Sequence, residues 1–124
     1  MTKRLSAIVL AAAVLVPLSA EAGGNASQGK SYFARCAICH SNEKGAPNRI
    51  GPNLFGVVGR KAASMPNFFY SAAMKRSNIT WTEEKLEAYI NKPQMVVPGN
   101  RMAFAGVTSH QQVDDIVAYL KTLK

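Results

Sequence analysis

The chain has 124 residues, 48% of them apolar and 18% charged, which argues for one compact domain and against a disordered tail or a two-domain enzyme. Lysine and arginine (15) outnumber aspartate and glutamate (7), giving a net charge of +8 and a pI near 9.8. That excess points to acidic partners: a protein face, anionic lipid or nucleic acid.

Lys3 and Arg4 precede an uncharged run from Leu5 to Leu18, and Ala20-Glu21-Ala22 follows as a small-residue cleavage pattern. Together these predict a secretory signal over residues 1–22, cleaved after Ala22, and a single domain over 23–124. A membrane anchor is the competing reading, but the run is shorter than the ~20 residues a spanning helix needs and Pro17 interrupts its end. Export by such a signal makes the periplasm the expected location. The remaining 102 residues hold 13 basic and 6 acidic side chains, or +7, so the basic excess survives cleavage.

Asn25-x-x-Gln28 predicts a capping box opening a first helix that runs to about Cys36. From Ser41 to Pro66 the chain carries Gly45, Pro47, Gly51, Pro52, Gly56, Gly59 and Pro66 without a sustained hydrophobic period, and reads as loop. So long a loop in so small a domain needs a surface to pack on, and a large planar cofactor would supply one. A short helix is expected near Phe69 to Lys75. Another follows Thr80-x-x-Glu83, with Leu86, Tyr89 and Ile90 on one face and Pro93 as its stop. The last begins at Ser109-x-x-Gln112 and sets Val113, Ile116, Val117 and Leu120 in an i, i+3, i+4, i+7 stripe. The expected class is all-α, with three to five helices and long loops.

Cys36-Ala37-Ile38-Cys39-His40 is a CxxCH motif, and it holds both cysteines of the chain. On a helical turn, cysteines at i and i+3 face one side, spaced to add to the two vinyl groups of a single haem. The next residue, His40, can then turn its imidazole beneath the iron. A redox dithiol would sit at a helix start beside a strand pattern, which is not evident here. A zinc site would need a further ligand, and the other histidine of the domain, His110, lies far along the chain. For the opposite face of the iron, Met65, Met74, Met95, Met102 and His110 are all chemically possible. His110 lies off the apolar stripe of the last helix and Met74 in an expected helix, whereas Met102 follows the turn Pro98-Gly99-Asn100-Arg101 and Met95 follows Pro93.

With CxxCH come Gly51-Pro52-Asn53-Leu54, Gly59-Arg60-Lys61, Trp81, Pro93 and Pro98-Gly99-Asn100-Arg101-Met102-Ala103-Phe104. In this order and spacing the chain resembles the class I c-type cytochromes, the soluble mitochondrial type and its short bacterial relatives. The resemblance implies the small cytochrome c fold, wrapped around one haem c attached through Cys36 and Cys39. It implies His40 and Met102 as axial ligands of the haem iron, with the Pro52 carbonyl bonded to the other ring nitrogen of His40. Arg60, Tyr70 and Trp81 match positions that serve a haem propionate. Gly29 and Phe33 against Ile116 and Tyr119 match the crossing of first and last helices. Where many relatives carry an asparagine that orders a buried water near the haem, this chain has Met74.

Two filled axial positions leave no open site for a substrate. The function implied is therefore a monohaem electron carrier and not an enzyme, docking transiently as a monomer on acidic faces of membrane or soluble redox proteins. The alternative is a haem enzyme or gas sensor in which Met102 is displaceable. Nucleic acid is not expected as a partner, since no recognition motif accompanies the charge.

Overall fold

The computed structural model describes residues 8–15 and 23–124. Residues 8–15 form no regular element and are exposed, and the rest of the expected leader, 1–7 and 16–22, lies outside the described residues. None of the described helices is long and apolar enough to cross a membrane.

The domain is all-α: α1 (Ala26–Tyr32), α2 (Ala34–Ala37), α3 (Ala72–Arg76), α4 (Glu83–Asn91), α5 (Pro93–Val96) and α6 (His110–Leu120). The expected first helix corresponds to α1 and α2, which are separated only at Phe33. There the backbone stays helical, and the Cys36 N–H reaches back three residues to the Phe33 carbonyl at 2.8 Å, tightening the turn that carries the motif. No helix interrupts residues 41–66, and an isolated antiparallel bridge between Lys61 and Thr80 ties that loop to the start of α4.

The helix starts follow the capping pattern with two differences. At α1, the Gln28 N–H donates to Asn25 Oδ1 at 3.1 Å, but the Asn25 N–H donates to the buried Asp115 carboxylate at 2.7 Å. A charged acceptor on α6 thus takes the role the glutamine amide has in a closed capping box. At α4 the cap is Thr82, not Thr80: Lys85 N–H donates to Thr82 Oγ1 at 3.2 Å, while Thr80 is held in the bridge. Ser109 caps α6 as expected, and Pro93 opens α5, where its missing N–H costs nothing.

Gly29 decides how closely α1 crosses α6, because a Cβ there would fall on the Asp115 carbonyl. The crossing is sealed by Phe33 and Tyr119, whose ring centroids lie 5.1 Å apart. Val113, Ile116, Val117 and Leu120 are all buried, as the stripe on α6 requires. Trp81 and Tyr89 continue the core with centroids 4.8 Å apart.

Candidate functional site

The motif turn, the long loop, α4 and the segment after α5 surround a cavity of about 710 Å³, toward the upper end of what small-molecule and cofactor sites occupy. It stands where a larger core would be, and explains how a loop of this length finds something to pack on. Cys36, Cys39 and His40 line it, and so does Met102, more than sixty residues away in the chain.

His40 is oriented by the loop. Its Nδ1 donates to the Pro52 carbonyl at 2.7 Å, which leaves Nε2 with a free lone pair. The Gly51 backbone lies so close to the imidazole that a Cβ on residue 51 would overlap the ring. Burial holds the imidazole below its ordinary pKa and Arg60 adds to this, against the opposing Pro52 bond. The ring is thus a neutral donor at physiological pH.

Both cysteines are free thiols. Burial pushes the Cys36 thiol up and Cys39 adds to that, with Arg35 opposing. A raised thiol is the reverse of the depressed one that a redox dithiol employs.

Of the distal candidates, Met102 and Met74 line the cavity and Met65, Met95 and His110 do not. Met95 is 77% exposed, and His110 is exposed at the first turn of α6, as its place off the stripe predicts. Met102 is fixed by a neighbour in the same turn. Buried Asn100 donates through Nδ2 to the Pro93 and Val97 carbonyls at 3.2 and 2.9 Å, and its Oδ1 accepts from the Met102 N–H at 2.9 Å. Asn53 does the same for the loop, donating to the Glu43 and Ala46 carbonyls and accepting from the Phe55 N–H. In each case an asparagine bonds the backbone two residues on, a turn signal that was present in the sequence.

Arg60, Tyr70 and Trp81 all line the same cavity. The Arg60 guanidinium donates to the Phe55 and Asn53 carbonyls at 3.1 and 3.0 Å, so it is held in place by the loop it helps to close. Tyr70 accepts from the Met65 N–H at 3.2 Å and packs edge-on against Phe68. Tyr89, which the sequence suggested only as a core position, also lines the cavity, and burial pushes its phenol up to about 12.

Fold and site define a small helical domain built round one large apolar space, with two thiols and an imidazole on one wall and a thioether also facing in. The chain belongs to the cytochrome c family, whose sequence profile, Cytochrome c, matches residues 26–124. It is 41% identical over 121 residues to cytochrome c2 of Blastochloris viridis, covering 98% of this chain and 93% of that one. It is 44% identical over 102 residues to cytochrome c of Euglena viridis, covering 82% of this chain and 99% of the other. Among solved structures, cytochrome cH from Methylobacterium extorquens superposes with a TM-score of 0.75 at 43% identity, over 80% of this chain and 99% of its own.

The cofactor of this family is haem c, attached covalently through two cysteines. The residues present fit it: two free cysteines, a neutral imidazole with one nitrogen uncommitted, a thioether and a large apolar space meet in one place. When bound, haem supplies a one-electron couple at iron.

Proposed function

We propose that the protein is a monohaem electron carrier in which Cys36 and Cys39 would hold the haem covalently and His40 and Met102 would ligate its iron. The carrying observation is the convergence on one cavity of the CxxCH turn, with His40 Nε2 left free, and of Met102, held by Asn100. The chain's own residues would hold this donor set in place: the Pro52 carbonyl and the Gly51 backbone fix the imidazole and Asn100 fixes the backbone of Met102, so little would have to reorganise when an electron moves. A thioether ligand favours the ferrous state relative to a second imidazole. Arg60, Tyr70 and Trp81, which line the same cavity, would serve the propionates.

The leader reading supports a periplasmic site of action, with a mature domain from Gly23 to Lys124. Its net charge of +7 supports transient docking of a monomer on acidic faces of membrane or soluble redox proteins.

The test is the spectrum of protein matured with its export machinery, together with carbon monoxide titration of the reduced form. Thioether-haem bands, a weak thioether-to-iron charge-transfer band and resistance to carbon monoxide near neutral pH are expected. Fast stoichiometric ligation overturns the carrier reading in favour of a gas-binding or peroxidase-like protein. Met102→His is expected to keep the pigment attached and lower the potential, each ~59 mV being a tenfold change in the one-electron equilibrium. An unchanged potential assigns the ligand elsewhere.

A further inference from the structure

The turn that ends at His40 leaves two carbonyls beyond the reach of its own helical bonding. The Cys36 carbonyl accepts from the Cys39 and His40 N–H groups at 3.0 and 2.9 Å, whereas among the described residues no backbone N–H reaches the carbonyls of Ala37 or Ile38. Helix ends leave such acceptors, and something other than the helix must satisfy them. Here a side chain from the long loop does so: Arg49 Nη1 donates to the Ala37 carbonyl at 2.7 Å and Nη2 to the Ile38 carbonyl at 3.2 Å. One planar guanidinium thus spans two successive carbonyls with charge-assisted bonds, a fit that its rigid fork allows.

The backbone that follows Arg49 continues the same grip. The Arg49 N–H donates to the Gly51 carbonyl at 2.9 Å, the Gly51 N–H donates to the Cys39 carbonyl at 2.9 Å, and the Pro52 carbonyl accepts from His40 Nδ1 at 2.7 Å. Residues 49–52 therefore hold the turn at Ala37, Ile38, Cys39 and His40 in succession. The Pro52 bond can orient the imidazole only while residue 52 is itself kept against the turn. Arg49 does not line the cavity, so whatever it contributes to the site passes through the turn.

We infer that Arg49 is a positioning residue whose guanidinium fork clamps the CxxCH turn to residues 49–52 and so holds His40 in the orientation that the Pro52 bond sets. The inference deepens the carrier reading, in which His40 would ligate the iron and a steady imidazole keeps reorganisation small. Its content lies in the fork and not in the charge. Lysine at this position keeps the cation but loses the planar pair of donors that matches two neighbouring carbonyls, and glutamine loses both.

The experiment measures hydrogen exchange by NMR on the reduced holo-protein, comparing wild type with Arg49→Gln and Arg49→Lys. The amides of buried Ile116 and Val117 on α6 serve as the reference for global stability. In Arg49→Gln the Gly51 N–H and the His40 Nδ1–H are expected to exchange about tenfold faster, as for the net loss of one hydrogen bond, with the α6 amides within about twofold of wild type. Arg49→Lys is expected to exchange about threefold faster at the same two protons. In the oxidised form the paramagnetically shifted ring protons of His40 are expected to move in Arg49→Gln, which a loss of stability alone would not produce. Exchange at both protons within about twofold of wild type in Arg49→Gln overturns the inference and leaves Arg49 a solvated surface cation. Equal acceleration of the α6 amides overturns it as well, assigning Arg49 to overall stability, and full restoration by lysine overturns it by assigning the effect to charge. Wild-type protein whose His40 ring shows no paramagnetic shift overturns the assignment of His40 to the iron instead, while the exchange rates still decide the clamp.

Discussion

Asn100 shows how one buried amide can govern a ligand it never touches. It closes the turn from α5 and supplies the acceptor that fixes the Met102 N–H. Asn100→Ala strands the Met102 N–H and takes one of two donors from each of the Pro93 and Val97 carbonyls, which keep backbone N–H partners, with a stability loss of about 1–3 kcal/mol. The specific signature is a weakened thioether-to-iron charge-transfer band and faster carbon monoxide binding, which a loss of stability alone would not produce. Tyr89 allows a pH prediction. Its phenol titrates near 12 in the folded chain and about 10 when unfolded, so the folded state holds its proton longer. Stability from this residue is therefore intact below about pH 10 and falls between about 10 and 12, by up to about 3 kcal/mol. Denaturant midpoints at pH 9 and 11.5 check this, and Tyr89→Phe is expected to flatten the fall. Both residues stand in plain view in the sequence, yet only the fold shows that the amide bonds across a turn and that the phenol faces the cavity.

The helices are short, and their stability comes from where they meet more than from propensity. The tie from the Asn25 N–H to the Asp115 carboxylate pins the start of α1 to the middle of α6, and the absent side chain at Gly29 lets the two approach. Gly29→Ala places a methyl on a backbone carbonyl, where no rotamer can relieve it. The expected cost is about 3 kcal/mol or more, at the upper end of overpacking effects, and thermal melts of the holo-protein would show it. The exposed ion pair of Glu83 with Lys121, at 2.6 Å, is worth at most about 1 kcal/mol and is not a second clasp of the same kind. Element positions were readable because caps and apolar stripes are local. The shift of the α4 cap to Thr82 was not, since Thr80 is drawn off by pairing with Lys61 across the loop.

The molecule as a whole is organised by the space at its centre. At ~24 cal/mol per Å³, emptying a cavity of this size corresponds to roughly 17 kcal/mol, and even half of that, for an open mouth, rivals the roughly 5–15 kcal/mol net stability of a domain. Cys36→Ser with Cys39→Ser is therefore expected to yield a chain without covalent pigment and without stable helix. Circular dichroism checks the second point and extraction with acidified organic solvent the first. Charge is divided on the same scale. Carboxylates gather on α4 and α6, where partial burial and then Asp114, Glu83 and Glu84 hold the Glu87 carboxyl above its usual range, while the cavity has only basic side chains among its charged lining residues. Such a division would orient the molecule toward an acidic partner of the kind proposed above.

Taken alone, the sequence determined the CxxCH turn with its histidine, the all-α class and the caps of α1 and α6, because each depends on residues within a few positions of one another. Tertiary structure decided which methionines face the cavity and which asparagines hold the loops. Those relations join residues tens of positions apart, and no local period or spacing encodes a distance that only packing sets.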